Sequence, residues 1–150
     1  MAVLRPCVLP ILLTLLLAAC GSGSSTPGSR TFDASDTQAY AGIGASEIVH
    51  FTGTEPFWGG QVAGGSLTYT TPENTKGDTI AVSRFAGRNG VSFSGDLGGM
   101  PFVLAITPGT CSDGMSDRSY PFAVTLQVKD QQRDGCAWTD KQPYKGARHP

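Results

Sequence analysis

From residue 46 onward, apolar and polar residues alternate along short segments that end in glycine-rich turns. The pattern is clearest in "YPFAVTLQV", where every second residue from Tyr120 to Val128 is apolar, and in "PFVLAI", from Phe102 to Ile106. A period of two indicates antiparallel strands with one buried face.

Eight segments carry this pattern: "EIVHF", "FWGGQV", "SLTYTT", "TIAVSRF", "GVSFSG", "PFVLAI", "YPFAVTLQV" and "GCAW". The stretches between them have turn compositions: "GG" at 64, "PENTKGD", "GRNG", "GDLGG" and "KDQQRDG". A helical period is absent beyond the N-terminus, except for a short helical turn expected within Ser35 to Ile43. We therefore predict an all-β domain, either an up-and-down antiparallel barrel of about eight strands or a sandwich.

The first twenty residues, "MAVLRPCVLPILLTLLLAAC", have the layout of a secretory signal. One cation, Arg5, precedes an apolar run from Val8 to Ala19, and small residues stand before Cys20. "LAAC" resembles the lipobox of bacterial lipoproteins, in which the cysteine is acylated, with palmitate among its chains, and becomes the first residue. The alternative is an ordinary secretory signal with an incidental cysteine.

The lipobox resemblance, the Gly/Ser composition after it and the strand pattern together predict a division of the chain into four parts. Residues 1–19 are removed, residues 20–32 are the lipidated Cys20 and a Gly/Ser tether, residues 33–140 form the barrel, and residues 141–150 are a polar tail. Gly21, rather than Asp, follows the cysteine. By the sorting rules that this resemblance brings, the protein is expected in the bacterial cell envelope, anchored in the outer membrane and facing the periplasm.

Charge and cysteine usage narrow the classes of partner. The formal net charge is −1 and the basic residues form no run, which argues against nucleic acid and against a polybasic membrane contact.

Once Cys7 is removed and Cys20 is lipidated, Cys111 and Cys136 remain. In an exported protein such a pair predicts a disulfide, because two cysteines without nearby histidines make a poor zinc site.

The motif "TEPFW" supplies the first group of candidate binding residues, Glu55, Phe57 and Trp58. Pro56 is expected to hold Glu55 extended, and Phe57 and Trp58 should then point to opposite faces of the sheet. In the structural interpretation, Trp58 plugs one end of the barrel and Glu55 caps a turn or pairs with an arginine. In the functional one, Glu55 and an aromatic residue contact a ligand or partner.

The stretch "CSDGMSDRSY" supplies the second group: Asp113, Met115, Ser116, Asp117, Arg118 and Tyr120. Aspartates and serines at this density usually close side-chain to backbone turns, and Gly114 permits a positive φ between them. The functional alternative is a contact surface. A calcium site is not favoured, because the spacing does not match the EF-hand loop and hard cations take six or more oxygens. We predict no metal and no cofactor.

"GTEPFWG", "LTYTTPEN" and "TPGTCSDGMSDRSYPF" together resemble a family of uncharacterised bacterial envelope proteins that begin with a lipoprotein signal or signal peptide. The likeness covers roughly residues 40–138. The resemblance implies a location in the cell envelope, and it implies no enzymatic reaction.

Catalytic motifs give little support for an enzyme. No G-x-S-x-G is present, and His50 and His149 are isolated. The sequence therefore favours a non-catalytic binding or accessory role, with a protein or small molecule of the envelope as partner. One alternative is a periplasmic inhibitor of a cell-wall hydrolase, similar to lysozyme inhibitors, for which Ser116 and Arg118 should protrude. The other is a hydrolase, which would need two carboxyls converging in a cleft.

Overall fold

The computed structural model describes residues 38–147, which form a closed antiparallel barrel of eight strands in sequence order. The strands are β1 Val49–Gly53, β2 Trp58–Ala63, β3 Ser66–Thr70, β4 Asp78–Gly87, β5 Gly90–Asp96, β6 Pro101–Cys111, β7 Tyr120–Val128 and β8 Gln131–Thr139. The predicted all-β, up-and-down barrel is thereby confirmed. The predicted signal peptide, Cys20 and the tether lie outside the described residues.

Within residues 38–147 no helix is present, and so none is long and apolar enough to cross a membrane. The helical turn expected within Ser35 to Ile43 is therefore absent from residues 38–43; residues 35–37 lie outside the described range. The segment instead closes the barrel at the end where β1 begins. Ile43 is buried in the core, the Tyr40 N–H donates to the Gly87 carbonyl at 2.7 Å, and the Arg84 guanidinium donates to the Ile43 carbonyl at 2.7 Å.

The alternating apolar residues fill the barrel interior, as expected for eight strands, whose lumen is just wide enough for side chains. Each strand contributes to one continuous core, and the following members, one per strand, are at most 3% exposed: Phe51, Val62, Leu67, Ile80, Phe93, Leu104, Leu126 and Ala137. Because β1 pairs with both β2 and β8, no strand edge is left open.

Two strands are longer than their hydrophobic pattern predicts. β6 continues beyond the predicted segment "PFVLAI", from Ile106 to Cys111, with a bulge between Pro108 and Cys111. β8 begins at Gln131, inside a stretch predicted to be a turn. Gln131 and Arg133 pair with Val128 and Leu126 at the mouth of the barrel, where polar side chains reach solvent. Hydrogen bonding to the neighbouring strand, rather than alternation of apolar and polar residues, therefore determines where β6 ends and where β8 begins.

The indole of Trp58, in β2, occupies space left by glycines on β1 and on β8, which pairs with β1. A Cβ at Gly53 would overlap the indole, and one at Gly135 would come within 2.9 Å of its Cζ2 atom. Gly59 and Gly60, next to Trp58 in the chain, do not make this room. They allow close approach of backbones instead, since a Cβ at Gly60 would collide with the carbonyl oxygen of Thr68.

The described part of the C-terminal segment, residues 141–147, packs back onto the barrel. Gln142 donates through its side-chain amide to the Gly42 carbonyl at 2.7 Å. Ser119 and Lys145 exchange two backbone hydrogen bonds of 2.8 and 2.9 Å. These contacts place Tyr144 against the loop that joins β6 to β7.

Candidate functional site

A disulfide between Cys111 and Cys136 holds the β6–β7 loop, residues 112–119, against the outside of the barrel. Ala137 points into the core, so its neighbour Cys136 points outward, and β7 lies between the two bonded strands. Cys136 is nevertheless only 1% exposed. The predicted disulfide is confirmed, and it spans β7 on the outer face.

Asp113 is the centre of the loop's hydrogen bonding. Its Oδ1 accepts from the backbone N–H groups of Met115 and Ser116 at 3.0 and 2.9 Å, and its Oδ2 accepts from the hydroxyls of Ser116 and Tyr120 at 2.8 and 3.0 Å. Burial alone would raise the pKa of Asp113, but the bonds from Met115, Ser116 and Tyr120 outweigh it and lower the pKa. Three predicted binding residues, Asp113, Ser116 and Tyr120, are thus joined in one structural network.

Arg118 and Tyr120 belong to an aromatic cluster outside the barrel. The rings of Tyr120, Trp138 and Tyr144 contact one another with centroids 5.5 to 5.6 Å apart, and the guanidinium carbon of Arg118 lies 4.1 Å from the Tyr144 centroid. Burial raises the pKa of the Tyr120 hydroxyl. Within this loop, Met115 and Asp117 are the exposed members of the predicted set, and Arg118 is half-buried.

The β1–β2 turn, residues 54–57, carries the other candidates. Phe57 is 56% exposed and Trp58 is 4% exposed, so the two aromatics lie on opposite faces as predicted. Glu55 is exposed and has φ of 56°, so the expected extended backbone is wrong; this tight reversal takes Glu55 into the left-handed region. Among residues 38–147 Glu55 makes no ion pair, and the predicted arginine contact is not present there.

The turn and the loop are neighbours on the outer face. The Thr54 hydroxyl donates to the Asp113 carbonyl at 3.5 Å, and Thr52 lines a depression on each side of this contact. The depression on the β2 side, about 490 Å³, is here called the Phe57 groove; it is lined by Phe51, Thr52, Phe57, Trp58, Gly59, Gly60, Thr70, Thr71, Pro72, Thr75 and Trp138. The depression on the β8 side is smaller, about 320 Å³, and includes Asp113 and Asp134.

The Phe57 groove is an uncharged surface with several free polar groups. Gly59 faces outward in β2 between Thr52 and Thr70, so backbone rather than side chain forms the floor. Within residues 38–147 the hydroxyls of Thr52 and Thr75 have no hydrogen-bond partner, whereas that of Thr70 donates to the Gly59 carbonyl at 3.0 Å. The indole N–H of Trp58 has no acceptor in the described chain.

Sequence reasoning found Phe57 and Trp58 but missed the partners that complete the groove. Thr70, Pro72 and Thr75 lie in and after β3, and Trp138 lies in β8. The sequence predicts Thr70 in a strand and Pro72 and Thr75 in the turn that follows it, without indicating that they share a surface with Phe57. No periodicity could have placed these residues beside Phe57, because barrel closure brings β8 next to β1.

Chemistry that would suit an enzyme is sparse in residues 38–147. No three His, Cys, Asp or Glu side chains there are grouped so that they could hold a metal ion. Asp113 and Asp134 share the smaller depression, but the carboxylate of Asp113 is engaged by the loop. Its lowered pKa is the opposite of what a general acid requires.

No family model, curated protein or solved structure matches this chain. The resemblance of its motifs to bacterial envelope proteins therefore stays a prediction.

Proposed function

We propose that this protein is a non-catalytic binding protein of the bacterial envelope, held at the membrane by lipid on Cys20, and that it binds its ligand in the Phe57 groove. The observation that carries the proposal is the phenyl ring of Phe57, 56% exposed beside a glycine-floored groove of about 490 Å³. Ligand sites are concave, mostly apolar and of this size, with a few polar groups that orient the ligand.

The groove is favoured over the interior of the barrel, which is the usual ligand site of small barrels. Tyr69 and Phe102 pack edge to face below the mouth at a centroid distance of 5.3 Å, and both are at least 96% buried. The Tyr69 hydroxyl accepts a hydrogen bond from Arg133 at 3.0 Å. A ligand therefore finds more room on the outer face than inside.

The two alternatives receive less support from the same geometry. An inhibitor loop of the expected kind needs Ser116 and Arg118 to stand clear of the surface, but Ser116 is bonded to Asp113 and Arg118 lies over Tyr144. A hydrolase needs a carboxyl poised to give up a proton, and the lowered pKa of Asp113 does not provide one. A binding role needs neither.

The test compares two exposed phenylalanines. Phe57→Ser removes the wall of the groove, whereas Phe85→Ser alters a ring that is 68% exposed on β4 and lines a different depression. Full-length protein carrying each change is used to capture components of a bacterial envelope extract, and thermal melts verify that both variants fold. We expect a component that wild type and Phe85→Ser retain and Phe57→Ser loses. Capture that is equal in all three proteins would contradict the proposal.

A further inference from the structure

The walls of the Phe57 groove carry no charged side chain, which restricts the ligand. Its eleven lining residues are glycine, threonine, proline and aromatic residues only. Taking an ionised group partly out of water is costly unless an opposite charge compensates it. An uncharged ligand pays no such cost, so the groove is electrostatically matched to a neutral molecule.

Apolar and polar groups are interleaved along this surface. Phe57, Pro72 and Trp138 offer ring faces and edges, while Thr52 and Thr75 offer hydroxyls with no partner in the described chain. A threonine hydroxyl both donates and accepts hydrogen bonds. A hydrocarbon ligand would cover these hydroxyls without pairing them, which costs about 1 to 3 kcal/mol for each group buried unpaired. The ligand should therefore carry both apolar C–H faces and hydroxyl or amide groups.

Sugar rings have this combination of groups. One face of a pyranose ring presents C–H bonds with partial positive charge, which are attracted to the negative face of an aromatic ring. Its edge presents hydroxyls that match the hydroxyls of Thr52 and Thr75. The indole N–H of Trp58 is buried against Gly53, so it is not a donor for such a ligand.

A peptide fits the same surface less well. The barrel is closed and both neighbours of β2 are paired, so an extended peptide cannot add as a strand. A proline-rich peptide can stack on aromatic rings, but its backbone presents a row of carbonyl acceptors that require donors. The Thr70 hydroxyl is not available as such a donor, because it already donates to the Gly59 carbonyl at 3.0 Å.

From these observations we infer that the Phe57 groove binds an uncharged oligosaccharide, by stacking a sugar ring on Phe57 and hydrogen-bonding its hydroxyls to Thr52 and Thr75. This inference rests on the proposed binding role of the groove and adds the chemical class of the ligand.

The experiment titrates ¹⁵N-labelled full-length protein with four probes: chitotetraose, cellotetraose, the charged tetragalacturonate and a decaproline peptide. We expect at least one neutral tetrasaccharide to give saturable amide shifts at Thr52, Thr70 and Thr75, with a millimolar Kd. Phe57→Ser should weaken this binding by about tenfold, corresponding to about 1.4 kcal/mol, and Phe85→Ser should leave it unchanged. Thr52→Val keeps the shape of the side chain but removes its hydroxyl, and it should weaken binding several-fold.

Two results would overturn the inference. One is the absence of saturable groove shifts with both neutral tetrasaccharides up to about 10 mM, a concentration that reveals even weak affinity. The other is groove binding of tetragalacturonate or decaproline in preference to the neutral sugars. If decaproline binds in a Phe57-dependent way, the saccharide inference fails but the binding role stands. If envelope capture is also independent of Phe57, the proposed function fails as well.

Discussion

Replacing Asp113 by alanine should destabilise the barrel far more than replacing the nearby Asp117. Asp113→Ala removes the acceptor for the backbone N–H groups of Met115 and Ser116 and for the hydroxyl of Tyr120. Tyr120 is 2% exposed, so water cannot readily replace the lost partner of its hydroxyl. Asp117 is exposed, so its replacement removes little.

The magnitude follows from these contacts. A buried hydroxyl left unpaired costs about 1 to 3 kcal/mol, and the two backbone N–H groups, which are closer to solvent, add less. The total loss should be about 2 to 4 kcal/mol, which lowers Tm by about 10 °C in a domain of this size. Asp117→Ala should change the free energy of unfolding by less than about 0.5 kcal/mol.

The stabilisation of the fold by Asp113 should also depend on pH, and it should decrease in acid. Its pKa is lowered in the folded protein, relative to an ordinary value of 3.8. The ionised carboxylate therefore contributes its full stabilisation at a pH above the ordinary pKa. This stabilisation is lost as the pH falls through the lowered pKa of the folded protein. The difference in Tm between wild type and Asp113→Ala should be largest at neutral pH and should shrink in acid, below about pH 4.

Near-UV circular dichroism melts of wild type, Asp113→Ala and Asp117→Ala at pH 7 and pH 3 measure these differences. A melt of Asp113→Ala within about 1 °C of Asp117→Ala at pH 7 would refute the assignment of Asp113 as the centre of the loop. EDTA should leave the wild-type melt unchanged, because donors from the protein already occupy the carboxylate of Asp113. A fall in Tm with EDTA would instead indicate a bound cation.

Three further expectations concern the anchor, the disulfide and the glycines. Cys20→Ser should abolish incorporation of radiolabelled palmitate and release the protein from membranes, and its retention there would count against the anchor. Reduction of Cys111–Cys136 should destabilise the fold by about 3.5 kcal/mol on the chain-entropy model, seen as a lower Tm; an unchanged melt would disagree. Gly53→Ala should cost about 1 to 3 kcal/mol in urea unfolding, because its Cβ would overlap the indole of Trp58; equal stability would contradict that packing.

The interior of the barrel was predictable because its signal is local. Along β7 every second residue from Phe122 to Val128 is buried, as the alternation predicts. The ends of β6 and β8 were not predictable, because Thr107 to Cys111 and Gln131 to Gly135 have no alternating pattern. Hydrogen bonding to β7 extends both strands, and such pairing has no trace in the composition of the paired segment.

The candidate site was predictable only in part, because most of its contacts join residues that are distant in the sequence. The exposure of Phe57 and the burial of Trp58 agree with the prediction, although Phe57 lies in the turn before β2 and not in the strand whose period of two suggested it. Tyr120 shares the spacing of the inward residues of β7, yet its ring packs with Trp138 and Tyr144 outside the core cluster. The bulge in β6 and the disulfide shape that end of the barrel, and neither acts through neighbours in sequence.

The sequence by itself determined the all-β class, the number of strands and the disulfide, because alternation, turn residues and cysteine pairing are encoded over a few residues or by elimination. The tertiary structure alone decided which residues share a surface. Pairing of β8 with β1 brings Trp138 to the groove, and pairing of β3 with β2 brings Pro72 there; the two residues lie 81 and 15 positions from Phe57 in the chain. The physical reason is that strand pairing depends on the geometry of the whole barrel, whereas periodicity depends only on the two faces of a single strand.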